Sequence, residues 1–248
     1  MEEKFKKSHA AVTSRGSALA KYQDVIVGGR SILTLVYFEW CMFLGVIPGA
    51  LGLILRKVFW PRLFGSCGHG VQFAQNIIIR HPKRIHLGRN VVISEFCLLD
   101  ARTVASERVL IIGDDVILSN NVRIACKDGE VSIGARTGVG ALTNIQSTNQ
   151  SPVSIGEDVM IGPGCCLVGG GDYNIDRLDI PMNQQGKKRD SGVCLASDVW
   201  LGANVTVLGG VQIGTGSIVA AGAVVTRSVP EQSINAGVPS RVVKKRGE

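Results

Sequence analysis

The chain has 248 residues, 45% of them apolar, enough to bury a sizeable core and too many for a disordered protein. Only 5% are aromatic while 31 are glycine, a balance that disfavours helical bundles and suits stacked strands joined by tight turns. The formal net charge is +7, but its cations form no aromatic-interleaved basic groove, which argues against nucleic acid as a partner.

The first cations are Lys4, Lys6, Lys7, Arg15, Lys21 and Arg30, and Arg56, Lys57 and Arg62 follow. Between the two groups, Ile32 to Leu55 reads ILTLVYFEWCMFLGVIPGALGLIL, apolar apart from Thr34 and Glu39. That length matches a bilayer core of roughly 30 Å. Pro48, flanked by Gly45, Gly49 and Gly52, breaks any helix near its middle, and cations on both sides direct both flanks to the cytoplasmic face. The segment is therefore expected to be a bent, re-entrant hairpin or an interfacial helix, with Tyr37, Trp40 and Trp60 as interface anchors. The alternative is that it packs on the core or seals an oligomer. Residues 1–66 are read as a helical, membrane-associating region.

Beyond about residue 70 a six-residue period emerges. Leu195, Leu201, Val207, Ile213, Val219 and Val225 recur without a miss, and Val199, Val205, Val211, Ser217, Ala223 and Val229 follow each by four. Earlier coils are marked by Leu87, Ile112, Leu118, Ile124, Ile133, Val139, Ile155 and Ile161. This hexapeptide pattern predicts a parallel β-helix, in which each side of a coil turns one aliphatic residue inward and small residues form the corners. No coil could bury its apolar face alone, so stacking is obligatory. Insertions at 100–109, 127–131, 147–152 and, longest, 169–192 interrupt the phase and are expected to project outward, where sites are built. The rod is assigned to 67–238 and a basic tail to 239–248.

The seven cysteines include no CxxC pair, and no signal peptide opens the chain, so a reducing cytosolic setting is expected. His9, His69, His81 and His86 offer no zinc-ligand spacing with them, and no metal site is expected. Cys165 and Cys166 are read as packing residues, having no His nearby to activate a thiol.

The stretch VWLGANVTVLGGVQIGTGSIVAAGAVVTRSVPEQSINAGVPSRVVKKR, Val199 to Arg246, closely resembles the hexapeptide-repeat acyltransferases of the galactoside and maltose acetyltransferase type. The resemblance reaches back to about Gly68. It implies an all-β, left-handed parallel β-helix that forms homotrimers and binds acetyl-CoA in the groove between rods, with no metal. It also implies acyl transfer to a sugar hydroxyl or amine. On that resemblance Ala203 and Ala221 match small residues along the pantetheine arm, Thr226 and Arg227 match a pair near the adenosine, and Arg241 and Lys244 match cations close to the phosphates. Cations suit that place because they neutralise phosphate with charge-assisted hydrogen bonds. Asn144 occupies the position of an acceptor-binding Asn, or stacks in a corner of the prism.

In the family a loop His takes the proton from the acceptor; aligning DRLDIP with that loop places Tyr173 there, and all four histidines lie at or before residue 86. Tyr173 and Asp172 are the candidate catalytic groups. Asp176 is a further candidate at the acceptor, although either carboxylate could instead serve a turn or bind Arg177. A positioned base is worth about 10²–10⁴ in rate, so its identity matters. The expectation is a CoA-dependent acyltransferase acting on a sugar or lipid-linked glycan at the cytoplasmic face of the inner membrane. The competing expectation is a trimeric scaffold or binding protein that has lost its base. A carbonic anhydrase on the same rod would need three histidines that the repeat lacks from residue 87 onward.

Overall fold

A computed structural model of the chain describes residues 17–102, 106 and 108–248. Lys4, Lys6, Lys7, His9, Arg15 and part of the first insertion lie outside these residues. From Ser66 onward the chain winds as a parallel β-helix whose coils share three sheets of seven, nine and seven strands. The six-residue period appears directly as hydrogen-bonding register. In the first sheet Leu87, Ile112, Ile133, Ile155, Leu195 and Ile213 are successive partners. In the second, Phe73, Ile93, Leu118, Val139, Ile161, Leu201 and Val219 are. In the third, Ile79, Leu99, Ile124, Ile145, Leu167, Val207 and Val225 are. All of these side chains are buried, so three aliphatic columns fill the prism.

Sharp corners require left-handed backbone. At the first-to-second corner Asn90, Asp115, Arg136, Asp158 and Asp198 take positive φ, and at the second-to-third Asn76, Asn121 and Asn204 do. Asn and Asp tolerate this conformation better than most residues, which explains their recurrence. Ser217 breaks the inner series of small aliphatics; its hydroxyl donates to the Pro230 carbonyl at 2.6 Å, beside a buried Asn235–Ser233 hydrogen bond of 2.8 Å. The chain ends in an antiparallel strand, Arg241–Lys245, laid on Ser233–Ala236.

Helices close the other end of the prism: α1 (Ala18–Tyr22, running into a π-turn at Gln23–Val27), α2 (Ile32–Gly45) and α3 (Gly49–Phe59). Ser17 and Ser31 accept from Ala20 N and Thr34 N, capping α1 and α2. Pro48 sits in the break between α2 and α3, which fold back as a hairpin: the Tyr37 hydroxyl donates to the Phe59 carbonyl at 2.6 Å. The buried guanidinium of Arg56 joins hairpin to rod, donating through Nε to Phe73 O at 2.9 Å and through Nη1 to Leu44 O at 3.0 Å and Ile47 O at 2.8 Å. Leu44 lies in the last turn of α2, where carbonyls lack helical partners. Gly52 admits this arrangement, because a Cβ there would collide with the Ile47 carbonyl. Two further backbone bonds, Asn76 N to Gly45 O at 2.9 Å and His81 N to Ile26 O at 2.8 Å, fasten the helices to the first coil.

Trp60 corrects one expectation. It is fully buried, its ring 5.2 Å from Phe73 and its indole N–H donating to Cys41 O at 2.9 Å, so it belongs to the core of the end closure and anchors no interface. The reason is that Phe38, Cys41, Trp60 and Phe64 belong to one apolar cluster over the open end of the first coil, and Trp60, its largest member, is fully buried in it. The outer face of the hairpin is also apolar: Leu33, Val36, Phe43, Val46, Leu51 and Ile54 are exposed, Leu33 to 83%. No single helix among the described residues is long and apolar enough to cross a membrane; α1 with its π-turn and α2 pass only as a pair bent by 68°.

Candidate active site

Four insertions fall in the chain at one edge of the prism, where the third sheet hands over to the first. Residues 101–109, 128–130, 149–152 and 170–192 each join a third-sheet strand to the next first-sheet strand. The longest is a two-stranded arm: Lys188 N donates to Asp172 O at 2.9 Å, Asn174 N to Gly186 O at 3.1 Å, and Tyr173 bridges Lys187 between them. A single side chain ties its base. Asp190 accepts from Gly170 N at 2.9 Å through one oxygen and from Gly192 N at 2.7 Å through the other, while its carbonyl accepts from Ser151 Oγ at 3.1 Å. At the outer end Gln185 accepts from Arg177 N at 3.0 Å and donates to Arg177 O at 2.6 Å, and Ile175, Leu178 and Met182 are exposed, Leu178 to 99%.

Asp172 and Tyr173 therefore stand at the root of the arm and Asp176 further out, both carboxylates exposed. The Lys187 ammonium lies 6.0 Å from the centre of the Tyr173 ring. Arg177 pairs with Asp179 in the bend two residues on, and with neither Asp172 nor Asp176, the alternative raised for those carboxylates. An arm of this kind can present a phenol as hydrogen-bond donor and a carboxylate as proton acceptor to a bound hydroxyl.

Four of the six cofactor candidates, Ala203, Ala221, Arg241 and Lys244, lie elsewhere. Ala203 and Ala221 stack one coil apart on the second-to-third edge, with Gly222 N donating to Ala203 O at 2.8 Å. The coils there are pressed together: a Cβ at Gly202 would lie 2.6 Å from Ala221 N, and one at Gly162 2.7 Å from Ala203 N. At these two positions the edge presents backbone covered only by a methyl group. Ser240 N donates to Val224 O at 2.8 Å, which brings Arg241 to the same corner; Lys244 lies further along the terminal strand opposite Ile234. Thr226 and Arg227 follow Val224–Val225 toward the far side of the third sheet and are exposed.

Asn144 opens its third-sheet strand in the row Arg123, Asn144, Cys166, Thr206, Val224. At about 4.8 Å per coil it stands roughly 14 Å down the rod from Val224, beside the same edge as the alanines. Its amide points along the row toward Cys166 Sγ, at 3.8 Å. Cys165 turns inward, and burial pushes its thiol up from the ordinary value, as suits a packing residue. Asn144, Ala203, Ala221 and Arg241 thus share one edge of the rod, while Asp172 and Tyr173 rise from the next. Four residues of strand, roughly 13 Å, separate the two edges. Asp190, Ser151 and Gln185 were not foreseen from sequence; only the Asp-Ser-Gly run at 190–192 hinted at a turn-forming carboxylate.

The family model described as bacterial transferase hexapeptide (six repeats) matches residues 195–227. The Escherichia coli protein WbbJ, named for O-acetyl transfer in lipopolysaccharide biosynthesis, is 32% identical over 192 residues, covering 77% of this chain and 86% of that one. A galactoside O-acetyltransferase of Lactococcus lactis is 31% identical over 109 residues, 44% of this chain and 51% of the relative, so the chain spans about half of that protein. Among solved structures, a point mutant of AntD, an N-acyltransferase from Bacillus cereus crystallised with dTDP and coenzyme A, superposes with a TM-score of 0.53 at 23% identity. That match covers 79% of this chain and 89% of the other and shows a common fold.

Proposed function

The chain belongs to the hexapeptide-repeat acyltransferases, and from that premise we propose that it transfers an acyl group, acetyl in the simplest case, from acyl-CoA to a hydroxyl or amine of a sugar in cell-envelope polysaccharide or lipid-linked glycan synthesis. The observation that carries this reading is the edge formed by Ala203 and Ala221, where closely stacked coils expose backbone beneath methyl groups. A pantetheine arm can lie along such an edge and exchange hydrogen bonds with the main chain. Arg241 and Lys244 supply charge for its phosphates, with Thr226 and Arg227 toward the adenosine. The thioester supplies an activated acyl group.

The protein's own part is to orient and to move one proton. Asn144 orients the acceptor. The Tyr173 hydroxyl donates a hydrogen bond toward the reacting oxygens, and Asp172 accepts the proton of the attacking hydroxyl and returns it to the CoA sulfur as the carbon–sulfur bond breaks. Backbone N–H groups of the coil edge hold the oxyanion.

Because the arm and the alanine edge lie on different edges of one rod, a complete site is formed when the arm of one copy meets the alanine edge of the next, as in a homotrimer. The exposed row Ile117, Met160, Trp200 on the second sheet and the apolar tip of the arm favour such packing. The outer face of the α2–α3 hairpin, apolar and bordered by Arg30, Lys57 and Arg62, is suited to the cytoplasmic surface of an anionic bilayer, close to a lipid-linked acceptor.

Calorimetry with acetyl-CoA, followed by thiol release on candidate sugars, tests the reading. Binding is expected in the wild type and its loss in Ala221→Trp; absence of binding in the wild type overturns it. Tyr173 in place of the family's His favours a second reading, a scaffold that keeps the rod without turnover. CoA binding without turnover, restored by Tyr173→His, selects it.

A further inference from the structure

The third sheet carries a concentration of charge that acyl transfer leaves unused. Arg80, Asp100 and Ala125 are successive partners across the ladder, and Arg123 and Lys127 flank Ala125 on the outward face of its strand. Asp100 is buried, and its carboxylate is taken up by Arg102 at 2.7 Å and Arg80 at 3.2 Å. That leaves Arg123, Lys127 and, from the root of the arm, Lys187 outside every ion pair found among the described residues. Glu130, in the turn beyond Lys127, is exposed and in none of these pairs either. The crowding reaches Lys127, whose ammonium is held below its ordinary value by burial first and then by Arg102, Arg123 and Lys187. Cations gathered around one neutralised carboxylate repel each other, and the repulsion is relieved when a polyanion enters.

The cluster spans the third sheet from the edge that carries Asn144 to the root of the arm. Arg123 stands next to Asn144 in the ladder, and Lys187 is paired with Tyr173. We propose that Arg123, Lys127 and Lys187 bind the diphosphate of the acceptor, so that the substrate is a sugar carried on a diphosphate and not a free neutral glycoside. A diphosphate diester brings two negative charges and several acceptor oxygens, which one guanidinium fork and two ammonium groups match. The identity of the reacting group rests on the acyl-transfer reading; the anion site does not.

Calorimetry of the full chain with inorganic pyrophosphate, at saturating CoA to occupy the cofactor edge, reads the site without turnover. The double variant Arg123→Gln, Lys127→Gln should weaken binding at least tenfold, while Arg89→Gln, Arg136→Gln, which removes an equal charge at the first-to-second corner, should not. Thiol release is then compared on a neutral methyl glycoside, a nucleotide-diphosphate sugar in solution and a polyprenyl-diphosphate sugar in vesicles. One of the diphosphate acceptors should exceed the glycoside in kcat/KM by at least tenfold, lose that advantage through KM in the double variant, and so identify the carrier. Pyrophosphate binding indifferent to the double variant, or a neutral glycoside used as well as both diphosphates, overturns the proposal. Pyrophosphate binding that depends on the cluster, with no thiol release from any acceptor, leaves the anion site standing and sinks the acyl-transfer reading.

Discussion

Arg56→Met isolates what holds the helical hairpin to the rod, because methionine keeps much of the bulk and removes every donor. Three carbonyls, those of Phe73, Leu44 and Ile47, lose a charged partner at 2.8–3.0 Å in a buried place. A hydrogen bond to a charged group contributes about 1.5–3 kcal/mol, and a stranded buried acceptor costs about 1–3 kcal/mol. The buried Leu44 and Phe73 carbonyls would suffer most, giving about 4 kcal/mol in all, with the burial of Phe38, Cys41 and Trp60 untouched. The hairpin should therefore remain docked but open far more often. Four kcal/mol corresponds to about a thousand-fold loss of amide protection. Hydrogen exchange followed by mass spectrometry should show that loss in peptides spanning 38–60 and little change in 195–225. A loss under tenfold, or an equal loss in the late coils, would refute the assignment of Arg56 as the local fastening.

Asp190→Ala should free both ends of the arm at Gly170 and Gly192, raising exchange across 171–189 and lowering kcat at least tenfold with the KM for acetyl-CoA unchanged. Leu201→Ala, at a fully buried place in the second-sheet column, should cost about 2–5 kcal/mol in a denaturant titration, because neighbouring coils cannot collapse into the space. His81 sets a pH dependence. Its Nε2 contacts the Asp24 carbonyl at 3.0 Å, Nδ1 is buried without a partner, and burial lowers its ordinary value near 6.5. The unfolded chain then takes up the proton first, so stability is full above about pH 6.5 and falls as pH drops through and below it. His81→Asn, which tolerates the left-handed backbone there, should flatten the difference between midpoints measured at pH 7.5 and pH 5.5.

The rod was legible because its physics is local and periodic: one residue in six must be aliphatic, and Leu195 to Val225 obey that rule exposed to no competing pattern. The break at Pro48 was legible for the same reason, since proline acts on its own neighbours. Trp60 was misjudged because an amphipathic aromatic next to an apolar run looks alike whether it meets lipid or a protein core. Arg56 was counted among the cations flanking the apolar run because its three acceptors, on Leu44, Ile47 and Phe73, are brought to it only by the fold of the hairpin onto the first coil. The arm was expected to project from the rod and carry site residues, but not to be paired internally. Its pairing of Asp172–Asn174 with Gly186–Lys188 and its closure by Asp190 depend on the return path of the chain, which no short motif records.

The bonds from Arg56 to Phe73, from Asn76 to Gly45 and from His81 to Ile26 have a consequence beyond stability. They occupy main-chain groups on the first coil that would otherwise be an open template, to which the bared first coil of another molecule could add. The helices act as a stopper against end-to-end association. A chain beginning at Ser66 should associate through that bared end, since the other stays closed by Arg241–Lys245, and sedimentation would show a mass that rises with concentration.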